Sequence, residues 1–255
     1  MITQTAEMKG QPVKLAPRAR RIIAFLIDHF VITSLLVALT FLGIGPDFLN
    51  ERPDISTLLS LVLVPGFILY FLKDSIKGRS LGKWSMGLMI RKNHDTTEVP
   101  SLGSLFVRNL FLIIWPIEAL VLLASQGKRR IGDRVTNSVV LIDPEKPAQW
   151  KRMLPLIGAC FAFCFFILMF VGVAIKSSDA YKTAIDGIEQ DKELQKETGG
   201  IIGYGWMPSG NISIKNGYGE GQLQIHVKGK ERDVNVQVYL TKDANHGWEV
   251  EEIEN

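Results

Sequence analysis

Cysteine and histidine are scarce in this sequence. The 255 residues include two cysteines and four histidines. Cys160 and Cys164 lie four residues apart within an apolar run, which is typical of small packing residues on a helix. No spacing that suits a metal relates the four histidines, His29, His94, His226 and His246. The sequence therefore predicts no metal and no other cofactor.

Catalytic motifs are missing as well, since no nucleophile lies in a recognisable set with a base. The stretch GRSLGKWS (78–85) resembles a phosphate-binding loop. That motif needs four residues between its glycines and a Ser or Thr after the lysine. Here three residues separate Gly78 from Gly82, and Trp84 follows the lysine. We therefore expect no enzymatic activity and no binding of nucleotide or nucleic acid.

Positive charge is sparse in the last third of the chain. Residues 177–255 contain 8 basic and 14 acidic residues, whereas residues 1–176 contain 21 and 12. Hydrophobic residues make up 47% of the chain, and the mean hydropathy is +0.15. This asymmetry predicts a membrane module followed by a soluble domain.

Three apolar runs are long enough to be membrane-spanning helices, which need about 20 apolar residues. Residues 153–175 carry no charge, and residues 22–44 are long enough even with Asp28 inside. Residues 55–72 include Pro65, which membrane helices tolerate with a kink. The sequence therefore predicts two spans near the N-terminus and a later anchor helix.

A fourth apolar segment, 105–125, is interrupted by Arg108, Pro116 and Glu118. The longest apolar stretch after Asn109 is short for a span. We therefore expect a re-entrant helical hairpin that dips into the membrane from the cytoplasmic side and returns.

Lysine and arginine set the predicted orientation, because cytoplasmic loops collect them. Residues 1–21, 73–103 and 126–152 hold five, six and seven basic residues, whereas the loop 46–54 holds only Arg52. The sequence therefore predicts a cytoplasmic N-terminus and an acidic C-terminal domain outside the cytoplasm.

Asp28 lies within the first apolar run and needs a partner from another segment, because a charge inside the bilayer is costly. Arg108 is the first candidate partner and Arg134 the second. A buried ion pair that fixes the helix register, a proton or cation site, and a protonated carboxyl all remain open interpretations.

Several motifs together resemble the RDD family of bacterial membrane proteins. They are RIIAFLID (21–28), KGRSLGKWSMGLMI (77–90), VRNLFL (107–112) and GDRVTNSVVLID (132–143). The resemblance implies that Arg21, Asp28 and Asp133 are signature residues. It also implies a multi-spanning module for which transport of ions or small ligands has been suggested.

The C-terminal region changes from helical to alternating periodicity. Residues 177–200 predict an amphipathic helix capped by Asp179, and the runs after it predict four or five antiparallel strands. This pattern resembles the cytochrome oxidase complex assembly factor family. That resemblance implies a domain that is tethered outside the membrane and binds partners.

The predicted fold is an α-helical multi-pass membrane module, an anchor helix and a small α+β domain with an antiparallel sheet. Its parts are a cytoplasmic tail (1–15), an RDD-like module (16–143), the anchor (153–175) and an extracytoplasmic domain (177–255). We expect a scaffold or assembly factor of a bacterial cytoplasmic membrane. Its partners would be the lipid bilayer and other membrane proteins or further copies of itself. The alternative is an ion or small-solute transport component that uses Asp28.

Overall fold

The computed structural model describes residues 7–8, 11–12, 14–50, 55–244 and 246–255. The charged residues Glu51, Arg52 and Asp54 of the loop 46–54 and most of the predicted tail lie outside these residues. The chain divides into two compact units, Met1–Leu39 with Leu59–Phe163, and Thr40–Leu58 with Cys164–Asn255.

The helices and strands that precede the long helix at Gln149 are, in order, β1 (Glu7–Met8), β2 (Gln11–Pro12), α1 (Arg18–Ile44), a 3-10 helix (Pro46–Leu49), α2 (Ile55–Leu72), α3 (Leu81–Met86), β3 (Leu88–Lys92), α4 (Leu102–Leu110), a second 3-10 helix (Phe111–Ile114), α5 (Trp115–Ala124), α6 (Ile131–Val135) and β4 (Ser138–Ile142). The remaining elements are α7 (Gln149–Ser177), α8 (Asp179–Gln190), α9 (Lys192–Glu197), β5 (Ile201–Tyr204), β6 (Ser209–Lys215), β7 (Tyr218–Gly229), β8 (Val234–Lys242) and β9 (Trp248–Glu254).

Among the described residues, three helical segments are long and apolar enough to cross a membrane. They are Arg18–Ile44, Leu102–Ala124 and Gln149–Ser177, and Leu58–Leu72 is a shorter apolar helix. α1 and α7 contain the predicted spans, and α2 continues through Pro65. These helices confirm the predicted apolar helical region before the C-terminal domain.

The segment between Leu102 and Ala124 is divided where the sequence predicts a break. A 3-10 helix separates α4 from α5, and Ile114, just before α5, has non-helical dihedral angles. A proline occupies the first turn of α5, where its missing N–H costs nothing.

A two-stranded sheet supports the polar loops of the first unit. β3 and β4 pair antiparallel with Ile90 opposite Val140. Both faces of the pair are buried: Leu88, Ile90 and Val140 pack with Ala24 of α1 and Leu105 of α4. This packing places the loops before β3 and β4 against the membrane helices.

The second unit contains the C-terminal domain, in which one face of an antiparallel sheet is covered by helices. The strand order is β5-β7-β8-β9, and β6 also pairs with β7. α8 and α9 cover one face of this sheet. The buried core comprises Ala180, Tyr181, Ala184, Ile188, Leu194, Leu223, Ile225, Val227, Val234, Val236, Val238, Leu240 and Trp248. These contacts confirm the predicted antiparallel sheet.

The start of α8 differs from the prediction. Ser178, and not Asp179, caps the helix, because its hydroxyl accepts a hydrogen bond from the N–H of Tyr181. Asp179 is instead the first helical residue, and its N–H donates to the side-chain oxygen of Asn50 at 2.9 Å. The amide of Asn50 also donates to the carbonyl of Ser177.

Candidate functional site: a buried charge cluster

The first unit encloses nine charged side chains that lie close together. The members of this charge cluster are Arg21, Asp28, Lys73, Asp74, Lys83, Arg108, Glu118, Arg130 and Asp133. They come from α1, from the segment Leu102–Ala124, from the residues just after α2, and from α3 and α6 with the residue before α6. Buried charges of this kind require paired and hydrogen-bonded partners.

Arg108 occupies the centre of the cluster and is 1% exposed. Its guanidinium donates to Asp74 at 2.9 Å and to Asp133 at 2.9 Å. Asp74 also accepts from Lys83 at 2.7 Å and from the amide of Asn109 at 3.0 Å. Arg108 therefore connects the end of α2 to the α6 loop through fixed donors.

Asp133 lies at the second end of this bridge and also pairs with Arg21 of α1. Burial raises the pKa of the Asp133 carboxyl, but the positive charges of Arg108 and Arg21 more than offset it, so that its pKa lies well below the usual range. The same balance, with Lys83 and Arg108 as the main cations, holds the pKa of Asp74 well below its usual range. Both groups are therefore carboxylates at neutral pH.

Asp28 holds the beginning of α3, and the predicted pairing with Arg108 or Arg134 is wrong. One oxygen accepts from the hydroxyl of Ser80 and the other from the N–H of Gly82, both at 2.6 Å. Its nearest cation is Lys73, with 3.7 Å between the ammonium nitrogen and the carboxylate. Loop donors that no sequence spacing reveals thus replace the expected arginine.

Arg134 lies apart from the cluster. Its side chain is exposed and donates to the hydroxyl of Ser125 at 3.1 Å. Of the residues predicted from the sequence, Arg21 and Arg108 both bond directly to Asp133. Asp28 belongs to the same cluster through Lys73 and Lys83. Arg134 does not belong to it.

Glu118 binds the beginning of α6 in the same way as Asp28 binds the beginning of α3. One of its oxygens accepts from the N–H of Gly132 at 2.9 Å. A Cβ added to Gly132 would lie 2.4 Å from the carbonyl oxygen of Arg108, and one added to Gly82 would lie 2.0 Å from that of Ala24. The second residue of each short helix is therefore a glycine, because the backbone approaches a membrane helix too closely for a side chain.

The two loops share a sequence pattern that marks their glycines. RSLGK (79–83) and RRIGD (129–133) are 50 residues apart, and both precede a left-handed residue and a five-residue strand. The left-handed residues are Gly87 and Asn137. A search for an internal repeat would have aligned Gly82 with Gly132, although Asp74, Glu118 and Arg130 carry no such signal.

A cavity of about 140 Å³ adjoins the cluster. Lys73, Lys83 and Arg130 line it together with apolar side chains such as Phe25 and Trp115. Burial lowers the pKa of Lys73 to about 8, against the opposing charge of Asp28. Asp28 and Glu118 also line the cavity, which therefore combines an excess of cationic groups with an apolar wall.

Within the described part of the chain, no group of three or more His, Cys, Asp or Glu side chains is placed to hold a metal ion. Asp28, Asp74 and Asp133 accept hydrogen bonds from arginine, lysine, hydroxyl and backbone donors on both oxygens, whereas one buried oxygen of Glu118 accepts none from the described residues. The arrangement can fix the polar loops to the membrane helices and can attract an anion at Lys73.

One comparison with known proteins found a family. The RDD family matches residues 15–188, which is more than half of the chain. No curated protein and no solved structure matched. Nothing in these comparisons supports the resemblance of the C-terminal domain to cytochrome oxidase assembly factors. With its long apolar helices and this match, the chain is a membrane protein that belongs to the RDD family.

Proposed function

We propose that this protein is a non-enzymatic membrane scaffold that holds its α+β domain outside the cytoplasm to bind a membrane-protein partner. The observation that carries the proposal is the occupancy of the carboxylates. Both oxygens of Asp28, Asp74 and Asp133 accept hydrogen bonds from fixed donors. Groups held in this way fix one arrangement of helices and loops, because removing either partner leaves an unpaired buried charge. A cation could reach these oxygens only by displacing their donors.

Contacts at the charge cluster support the proposed orientation. Arg18 and Arg21, at the start of α1, donate to the carbonyls of Ser125 and Lys128. Arg152, near the start of α7, donates to the carbonyl of Trp84. The starts of both long helices thus meet the Lys/Arg-rich loops, which favours a cytoplasmic location for those loops.

Two further contacts support the predicted re-entrant path of residues 105–125. Arg108, in α4, bonds Asp133 just beyond α5, and the carbonyl of Leu122 near the end of α5 accepts from Arg18. One end of the segment therefore contacts α6, and the other end contacts the first residue of α1. A helical hairpin of two short halves fits these contacts better than a straight span of ~35 Å at 1.5 Å per residue.

The uncovered face of the C-terminal sheet is the proposed partner-binding surface. Two rows of mainly polar side chains cross four strands on the face opposite α8: Ser209, Gln224, Gln237 and Glu254 in one row, and Asn211, Gln222, Tyr239 and Glu252 in the other. The rows offer hydrogen-bond donors and acceptors at regular strand spacing. A polar surface of this kind fits the outer, water-exposed part of another membrane protein.

Photo-crosslinking in living cells tests this surface. A photoreactive amino acid replaces Gln224 on the uncovered face or, as a matched control, the exposed Lys182 on α8. We expect a crosslinked product of discrete mass from position 224 and none from position 182. Equal products from both positions, or none from either, would contradict the proposal, and a product of twice the chain mass would identify self-association.

Ion transport through Asp28 has less support as a second candidate. In its favour, Asp28 and Lys73 both line the cavity. Against it, the carboxylate accepts two hydrogen bonds of 2.6 Å, and releasing them would also release the start of α3. Transport therefore remains the alternative that a flux measurement must exclude.

A further inference from the structure

Lys73 is a buried cation without a hydrogen-bond acceptor. Its side chain is 6% exposed, and its ammonium nitrogen finds no such partner within the described part of the chain. The rings of Tyr70 and Phe25 flank it, with 4.2 and 5.4 Å from the nitrogen to the ring centres. Cation–π contacts compensate only partly for the lost hydration of an ammonium group.

The carboxylate nearest to Lys73 is already bonded to other donors. The charge cluster contains five basic side chains and four carboxylates. Asp28, the nearest carboxylate, is 3.7 Å from Lys73 and is bonded to Ser80 and Gly82. Lys73 therefore lies beside Asp28 without a hydrogen bond to it, and an external anion would complete its pairing.

The cavity beside Lys73 has an opening lined by apolar residues. Leu26 and Trp115 line it and are 56% and 55% exposed, so that the cavity opens between α1 and α5. A second groove, of about 250 Å³, shares Leu112 and Trp115 with the cavity and continues along α1 and α2. An occupant would thus meet a cation at one end and apolar side chains along the rest of its length.

We propose that this cavity binds an anionic membrane lipid, with Lys73 pairing with the lipid phosphate and an acyl chain lying along Trp115 and Leu112. Arg21 and Asp28 both line the cavity and are about 10 Å apart along α1 at 1.5 Å per residue. With Arg21 at the membrane surface, the cavity would lie in the outer half of a leaflet about 20 Å thick, which contains the head groups and the first part of the acyl chains. A free phosphate ion shares the charge but would leave the apolar wall uncovered. The site is independent of the proposed partner-binding role.

Quenching of tryptophan fluorescence tests the proposal on the full chain. The protein is placed in phosphatidylcholine nanodiscs that contain increasing fractions of brominated phosphatidylglycerol or, in a matched series, brominated phosphatidylcholine. The difference between the wild type and Trp115→Phe isolates the signal of Trp115. We expect about a fivefold preference for the anionic lipid, the size expected for one lysine at an anionic lipid surface.

Two variants and one control locate the site. Lys73→Met should abolish the preference, and Lys14→Met, which removes an exposed lysine of the same unit, should keep it. Ala119→Phe should also abolish it, because Ala119 lines the cavity and the larger ring fills the space without changing a charge. No preference in the wild type, or equal loss in the Lys73 and Lys14 variants, would overturn the proposal.

Two further measurements distinguish a bound lipid from a free phosphate ion and from a lysine that serves the fold alone. Inorganic phosphate added to the nanodiscs should leave the quenching unchanged, and displacement of the brominated lipid by phosphate would identify a free anion instead. In nanodiscs of pure phosphatidylcholine, Lys73→Met should melt at or above the wild-type temperature, because it removes an incompletely paired ammonium group. A lower melting temperature together with full retention of the preference would refute the role of Lys73.

Discussion

The two units of this protein use charge in opposite ways. In the first unit, charged side chains are buried and bonded to one another around Arg108. In the C-terminal domain, the core is apolar and the ion pairs lie outside, as for Lys182 and Asp179, whose side chains are 62% and 59% exposed.

This difference follows from the surroundings of each unit. Association of apolar helices within lipid gains little from burying more apolar surface, so polar contacts contribute to their specific arrangement. The C-terminal domain folds in water, where burying apolar side chains is the dominant favourable contribution. We therefore expect the first unit to be most sensitive to the loss of a buried charge, and the C-terminal domain to be most sensitive to the loss of a buried apolar side chain.

The largest effect is expected from Arg108→Met. The change leaves Asp74 and Asp133 buried with one cation fewer each, and breaking such buried pairs costs about 3–5 kcal/mol. Thermal unfolding followed by size-exclusion fluorescence should show a large loss of folded protein. Arg134→Met, which removes an exposed side chain with one contact to Ser125, should cost under about 1 kcal/mol. Similar unfolding of the two variants would contradict a central role for Arg108.

The matching change in the C-terminal domain is Leu223→Ala. Leu223 is 0% exposed in the apolar core, and removing a buried leucine side chain costs about 2–5 kcal/mol. Lys182→Ala, which breaks an exposed ion pair, should cost under about 1 kcal/mol. Proteolysis of the C-terminal domain measures both. If Lys182→Ala is cleaved as readily as Leu223→Ala, exposed charge contributes more to the stability of this domain than the comparison of the two units predicts.

A smaller effect is expected from Gly82→Ala. The new methyl group would lie 2.0 Å from the carbonyl oxygen of Ala24, so α3 must move away from Asp28. Forced displacement of this kind costs roughly 1–3 kcal/mol. Gly103→Ala is the control, since no atom lies within 4 Å of its added Cβ and alanine favours the helix. A melting temperature that falls for Gly82→Ala but not for Gly103→Ala would support the close contact between α3 and Ala24. Equal changes in the two variants would contradict it.

Much of the fold could be predicted from the sequence because the strongest patterns were local. The apolar runs identified α1, α2 and α7, and the alternation after residue 200 identified the sheet. A helix cap depends on backbone angles at a single residue, which explains why Ser178 was missed and Asp179 was chosen. Segment 102–124 combines apolar composition with a break, and its composition alone favours a span.

The sequence identified some residues of the charge cluster, but it did not predict which of them pair. Arg21, Arg108 and Asp133 were identified from the sequence, and the structure brings them together. Lys73 and Asp74 directly follow α2, a position that is typical of charged residues in a solvated loop. Their burial depends on loops that return to the membrane helices through β3 and β4, a long-range contact that no spacing reveals.

Proton-coupled cation flux tests most directly whether the cluster is structural or conducts ions. Vesicles would contain the wild type or Asp28→Asn, with insertion and folding verified for both, and would be compared with protein-free vesicles for several cations. The structural account predicts no flux above the protein-free level from either protein. Flux that occurs with the wild type and disappears in folded, inserted Asp28→Asn would contradict it and establish Asp28 as part of a transport pathway.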